Sequence, residues 1–393
     1  LSPLHDRLAK EGAHFREVSG WESPDWFGDP GTTPDPGPLG WGRPEWFERW
    51  RAEHEACRQA AVIIDMSFMS KFDVAGDGAG AFLDRLSTAS VDGDPGVITY
   101  TQWLNERGTI EADLTVTKLA DDHFMVVATD TAHRHVETWM RRRAPESVQI
   151  TDVSAELAQI NLQGPNSREI LQRVTDADVS NEAFGFRSAR RIEIGGIEVL
   201  CIRITYVGEL GYEIYVPAAG AVTVHDHLWE AGQDLGLRHA GLKALGSLRM
   251  EKGYRDYGHD IDNTDRLWEA GLRQFADPDK PGGFIGREAL MKEIEAGPPR
   301  RRLVQVLLTD PEPLMFHAEV VYRDGVDVGY VRAASYGFTL GGAVGLAMVE
   351  ADRPVDREWI ESGSWEVDVA GTRYPARVSI APLYDPKMTR MRT

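Results

Sequence analysis

A chain of 393 residues, 42% hydrophobic and 27% charged, has the composition of a globular protein and the length for two or three packed units. No run of about 18 apolar residues is present to span a bilayer as a helix. A net charge of -19 disfavours nucleic acid or an anionic membrane as partner and leaves a small molecule as the expected one. Two cysteines, Cys57 and Cys201, are too few for a disulfide framework or a zinc site, so both are expected in the core and the expected compartment is a reducing cytoplasm. The first residue is Leu1, not Met, and no apolar signal core follows it.

Residues 1–45 are rich in Trp, Pro and Gly and read as a wrapping segment. Trp21, Trp26 and Phe27 are echoed by Trp41, Trp46 and Phe47, and two copies without a third favour aromatic anchors over a repeat. A charged, helix-compatible stretch from Trp46 to Ala61 leads into short strands at Val62–Asp65 and Lys71–Val74, then a helix from Ala79 to Leu86. Tyr100–Leu104 and Ile110–Leu119 are β-like runs joined by the turn residues Asn105 to Gly108, and His123–Thr129 adds another strand. The stretch Val148–Gln163 stops at Gly164-Pro165 before a helix from Ser167 to Val174. Gly195-Gly196 marks a two-residue hairpin, strands continue to Val216, and helices follow at Val222–Leu235 and Leu242–Lys252. Hairpins interrupted by blocks of helix point to an α+β architecture. Past a boundary at Pro298-Pro299, six short strands between Leu303 and Ile380 form a second unit, a small β-barrel or sandwich. The expected division is 1–45, 46–298 and 299–393.

The glycines Gly76, Gly78 and Gly80 between a strand and a helix mimic a dinucleotide fingerprint, but the chain continues into a hairpin and not a second parallel strand, so a plain glycine turn is expected. The pairs His133/His135 and His225/His227 stand two apart in helical segments and point away from each other, so no metal site is expected. Three segments remain. In the first, alternation puts Ile110, Leu114 and Val116 on one face of a strand and Glu111, Asp113 and Thr115 on the other; a carboxylate there either faces water or binds something. The second joins Tyr206, Glu209, Tyr212 and Glu213 with glycines that let a flat ring approach the backbone. The third is a helix carrying Arg249 among acidic neighbours. Their bland readings are an edge strand with surface charges and a salt-bridged helix.

These segments, in this order, resemble the aminomethyltransferase (T-protein) family of the glycine cleavage system. The likeness extends over nearly the whole chain, including Asp65-Met-Ser-Phe-Met69, Leu162-Gln-Gly-Pro165, Leu267 to Leu272 and Phe284-Ile-Gly286. Leu4-His-Asp-Arg-Leu8, the Trp-Phe pairs and Pro382 to Pro386 further resemble the folate-binding C-terminal half of dimethylglycine and sarcosine dehydrogenases and oxidases, which follows an FAD domain. The chain begins about where that junction would fall, and no FAD site is expected within it.

The resemblance implies two α+β folate-binding lobes and a terminal β-barrel as three lobes around a central hole. It implies tetrahydrofolate as cofactor and Asp113 as the catalytic carboxylate beside the folate nitrogens N5 and N10. It implies Glu213 as acceptor for the pterin, with Met69, Tyr100 and Tyr206 lining its pocket and Arg249 at the same site. The activity implied is capture of the one-carbon unit of dimethylglycine or sarcosine as 5,10-methylenetetrahydrofolate, with an FAD-dependent oxidoreductase domain or subunit as partner. The alternatives are a free-standing demethylase making 5-methyltetrahydrofolate from an N-, O- or S-methyl donor, and a silent folate-binding subunit. Thr109 in place of a second glycine, Phe68 where many T-proteins carry histidine, and the stretch Arg273 to Lys280 depart from the family pattern near the donor side.

Overall fold

Two antiparallel-rich sheets, each covered on one face by helices, carry the first three quarters of the chain in the computed structural model, which describes every residue except Leu39 and Trp41. The first sheet has five strands in the order Ile98–Leu104, Ile110–Ala120, His123–Ala128, Ser70–Ala75 and Gln149–Asp152. The second has six, in the order Ala189–Ile194, Ile197–Ile202, Gly211–Pro217, Leu157–Gln163, Ala61–Asp65 and Leu237–His239, with only the last pair parallel. Arg301–Leu308 begins a closed six-stranded barrel whose last strand, Thr372–Ser379, pairs back onto it. The α+β class and the small terminal barrel are therefore as expected from sequence.

Local chemistry explains most of these elements. Gly195 and Gly196 both have positive φ, 59° and 77°, the conformation a two-residue hairpin needs to follow the strand twist. At Gly164, φ is 124° and an added Cβ would lie 2.6 Å from the Ala60 carbonyl oxygen, so only glycine turns the chain from strand Leu157–Gln163 into helix Ser167–Arg173. The glycines at 76, 78 and 80 follow a strand that pairs antiparallel with both neighbours, so no parallel crossover unit exists there. His133 and His135 reach separate carboxylates, Asp152 at 3.1 Å and Glu111 at 2.9 Å. Both cysteines are buried, and burial pushes the Cys57 thiol up to about 12.

The structure refines the reading in two places. The stretch Val148–Gln163, left undivided in the sequence, holds two strands: Gln149–Asp152 closes the first sheet, and Leu157–Gln163 lies inside the second. The N-terminal segment does more than wrap. Helix His5–Lys10 and a hairpin of Ala13–Val18 with Trp21–Phe27 place Leu4, Leu8, Ala13 and Phe27 in the core beneath the second sheet. A six-residue helix offers too few turns for its apolar spacing to stand out. The Trp echo is not a structural repeat: Trp21–Phe27 is a strand, whereas Phe47 opens helix Phe47–Gln59; Trp26 and Trp46 stack at 5.5 Å as anchors, and Trp41 lies outside the described residues.

The two sheets meet where the chain crosses between them twice. One crossing, Met66 to Met69, joins Ala61–Asp65 to Ser70–Ala75; the other joins Gln149–Asp152 to Leu157–Gln163. They are laced together by Met66 N–H to the Gln159 carbonyl (2.8 Å) and Val153 N–H to the Lys71 carbonyl (2.9 Å). Ile98, Met125 and Val127 of one sheet pack with Leu200, Ile202 and Tyr215 of the other in one buried cluster. The faces turned toward each other hold the candidate site.

Candidate active site

Register places the polar side chains. Gln102 pairs with Asp113 and Tyr100 with Thr115, so all four project from the same face of the first sheet, the face that carries Ile98, Met125 and Val127. Gln102 donates through Nε2 to Asp113 Oδ1 at 2.8 Å, and the Tyr100 hydroxyl bonds the same carboxylate. These bonds favour the charged form, but desolvation outweighs them and raises Asp113 to about 6. Tyr100 is itself held by Phe275, edge to face at 4.8 Å.

On the second sheet, Glu213 pairs with Asn161 and Ile202, and Tyr215 with Gln159 and Leu200, so Glu213, Tyr215, Gln159 and Asn161 share the facing surface. The Tyr215 hydroxyl donates to Glu213 Oε2 at 2.7 Å, while burial moves the Glu213 carboxyl upward. Lys71, fully buried on the first sheet, donates to the carbonyls of Ser67 (2.9 Å) and Met69 (2.6 Å), which ties down the crossing that presents Met69. Burial pulls its ammonium down to about 7 against the nearby charges of Asp65, Asp152 and Glu213. Tyr206 donates its hydroxyl to the Arg255 carbonyl at 2.6 Å and stacks on Tyr254 at 6.0 Å. It feels the charge of Asp113, and Met69 packs against the buried clusters on both the Tyr206 and the Tyr215 sides.

Arg249 is placed differently from these. Its guanidinium grips Asp260 through both terminal nitrogens, at 2.7 and 3.2 Å, and donates to the Tyr254 carbonyl at 2.9 Å. With its fork spent on a buried carboxylate, Arg249 fixes the turn after helix Leu242–Glu251, which carries Tyr254 and Arg255. Sequence reasoning did not find Gln102, Lys71, Gln159 or Arg255. Gln102 could have been found by pairing the two hairpin strands across their turn; the others depend on contacts between distant segments.

The chain matches the profile of the GCVT N-terminal domain over residues 4–280 and that of the glycine cleavage T-protein C-terminal barrel domain over residues 301–385. The chain belongs to the glycine cleavage T-protein family. A solved T-protein, the glycine cleavage system aminomethyltransferase T from Bartonella henselae, superposes with a TM-score of 0.80 at 25% identity, covering 99% of this chain and 98% of that one. An aminomethyltransferase of Caldanaerobacter subterraneus is 36% identical over 80% of this chain and 83% of its own length. The 4-methylaminobutanoate oxidase (formaldehyde-forming) of Paenarthrobacter nicotinovorans is 45% identical over all of this chain and 47% of its own length. Human mitochondrial sarcosine dehydrogenase is 34% identical over 99% of this chain and 47% of itself. The chain thus spans about half the length of these oxidising relatives.

The T-protein family is folate-binding, and it includes aminomethyltransferases such as the two named above. The facing surfaces of this chain are chemically suited to a reduced pterin, whose edge offers an amide N–H and an amino group. Gln102, Gln159 and Gln163 each leave a buried side-chain oxygen without a hydrogen-bond partner among the described residues, and Glu213 has an oxygen beyond the one Tyr215 occupies. Unmet acceptors in a protein interior are costly, and a ligand rich in N–H donors satisfies them.

Proposed function

We propose that this chain takes up the one-carbon unit of an oxidised N-methylated amino acid, of the sarcosine or dimethylglycine kind, and yields 5,10-methylenetetrahydrofolate. The observation that carries the reading is Asp113, a carboxylate that burial raises to about 6 against the bonds from Tyr100 and Gln102, on a face opposite Glu213. Tetrahydrofolate supplies the nucleophilic nitrogens when bound. Glu213 accepts from the pterin edge, Tyr206 and Met69 flank the ring, and Tyr215 and Lys71 hold these groups in place. Asp113 accepts a proton from the reacting nitrogen or stabilises the positive charge that develops beside it, and its pKa near 6 lets it exchange a proton close to neutrality. Arg249 acts at a distance by holding the turn that presents Tyr254 and Arg255.

The oxidising step belongs to a partner unit, which we propose to be a flavin-dependent oxidoreductase joined to this chain or associated with it. The relatives named for oxidase and dehydrogenase activities are twice as long as the part this chain matches, which supports that reading. Product analysis tests it. The chain, tetrahydrofolate and the oxidising partner acting on sarcosine should give 5,10-methylenetetrahydrofolate. Formation of 5-methyltetrahydrofolate from a methylated amine by this chain alone would overturn the proposal in favour of a direct demethylase.

A further inference from the structure

Arg255 is a cation of the site that neither folate nor Asp113 accounts for. Its Nε donates to the Ala270 carbonyl at 2.8 Å and its Nη1 to the Gly253 carbonyl, while Nη2 has no acceptor among the described residues. No carboxylate oxygen of the described residues comes within 4.0 Å of the guanidinium. Arg249, six residues earlier, differs in having Asp260 as a bidentate partner. The Arg255 side chain is lodged against Gly271, where an added Cβ would lie 2.5 Å from Nη2, so its place is fixed by packing. The groups that feel its charge are Tyr100, Asp260, Asp113 and Tyr206. The guanidinium is partly exposed and keeps an N–H edge that no protein acceptor uses, an edge that the carboxylate of a ligand can meet.

We infer that Arg255 binds the carboxylate of the amino-acid donor and so selects donors that carry one. The inference rests on the proposed function. In a donor such as sarcosine, the carboxylate is two bonds from the nitrogen that bears the one-carbon unit, so it must lie within electrostatic reach of Asp113, as Arg255 does. The glutamate tail of folate is a second source of carboxylate, but it lies beyond the aminobenzoyl ring, away from the reacting nitrogens. Arginine suits this task because its planar edge meets a carboxylate with two parallel bonds.

The test is calorimetric titration of the chain, with and without saturating tetrahydrofolate, using sarcosine and sarcosinamide, the same amine without the charge. The acid should bind about tenfold or more tighter than the amide, the worth of a charge-assisted bond. Arg255→Gln should abolish the difference, Arg255→Lys should restore part of it, and neither should change tetrahydrofolate affinity. Equal binding of acid and amide by the unmodified chain, or binding of neither, overturns the inference without need of a variant. A loss of tetrahydrofolate affinity in Arg255→Gln that spares tailless tetrahydropteroate would assign the arginine to the folate tail and overturn it as well. Failure of the chain to bind tetrahydrofolate is read separately and bears on the proposed function, because the acid and amide are also compared without folate.

Discussion

At the scale of single residues, the behaviour of Asp113 follows from the competition between burial and two donors. Its folded pKa of about 6 lies above the ordinary carboxylate value of 3.8, so the folded protein holds this proton more tightly than the unfolded chain. Stability therefore falls as pH rises through that window, and the cost is fully in place near neutrality. Asp113→Asn should melt higher than the parent at pH 7 and show no such gain below about pH 4, as measured by thermal denaturation at both pH values. The same group should give the rate a rising limb with an apparent pKa near 6, absent in the Asn variant. Glu213→Gln should weaken tetrahydrofolate about 10- to 100-fold in titration, since it replaces a charged acceptor that a pterin donor edge would use. Asp113 was legible as a carboxylate on a strand face, and Glu213 as one beside tyrosines. The spent fork of Arg249 was not, because nothing in the helix that carries it announces Asp260, eleven residues on and folded back beneath it.

At the scale of elements, turn chemistry and period-2 alternation identified most strands, because Gly164, Gly195 and the turn from Asn105 to Gly108 speak through local backbone geometry. What alternation could not provide was partnership. Only the stop at Gly164-Pro165 was read from the Val148–Gln163 stretch, yet its halves belong to opposite sheets, and that split creates one of the two crossings that frame the site. Gly164→Ala tests how tightly the second sheet depends on its turn. With φ at 124° and backbone atoms under 3.0 Å from the new Cβ, the variant should lose about 2–3 kcal/mol of stability in urea denaturation. A loss below 0.5 kcal/mol would mean that the turn relaxes freely.

At the scale of the whole molecule, the barrel is tied to the folate lobes by a buried charge network. Glu251, at the end of helix Leu242–Glu251, accepts from Arg58 at 2.8 Å and from the backbone of Thr339 at 2.7 Å and Leu340 at 3.1 Å, in the barrel turn. His54 and Arg58 beside it hold its pKa down to about 2 against the pull of burial. A depressed carboxylate contributes stability above its ordinary value of 4.5 that is lost as pH falls toward 2. Acid unfolding should therefore be steep across that interval and shallower in Glu251→Gln. Arg58→Ala, which strands Glu251 without its cation, should cost about 3–5 kcal/mol in chemical denaturation at pH 7. The opposition of the two polar sheet faces was not readable from the chain, since each face looks like an ordinary solvated surface until the other is set against it. The resemblance to the T-protein family carried that information instead.

We propose that Asp113 acts on the one-carbon transfer and does little to hold folate. Parallel measurement of tetrahydrofolate affinity and of turnover in Asp113→Ala tests it most directly. The dissociation constant should stay within about threefold of the parent and turnover should fall at least about 100-fold, in the range expected for loss of a positioned acid–base group. Unchanged turnover, or turnover lost only in proportion to folate affinity, would contradict it.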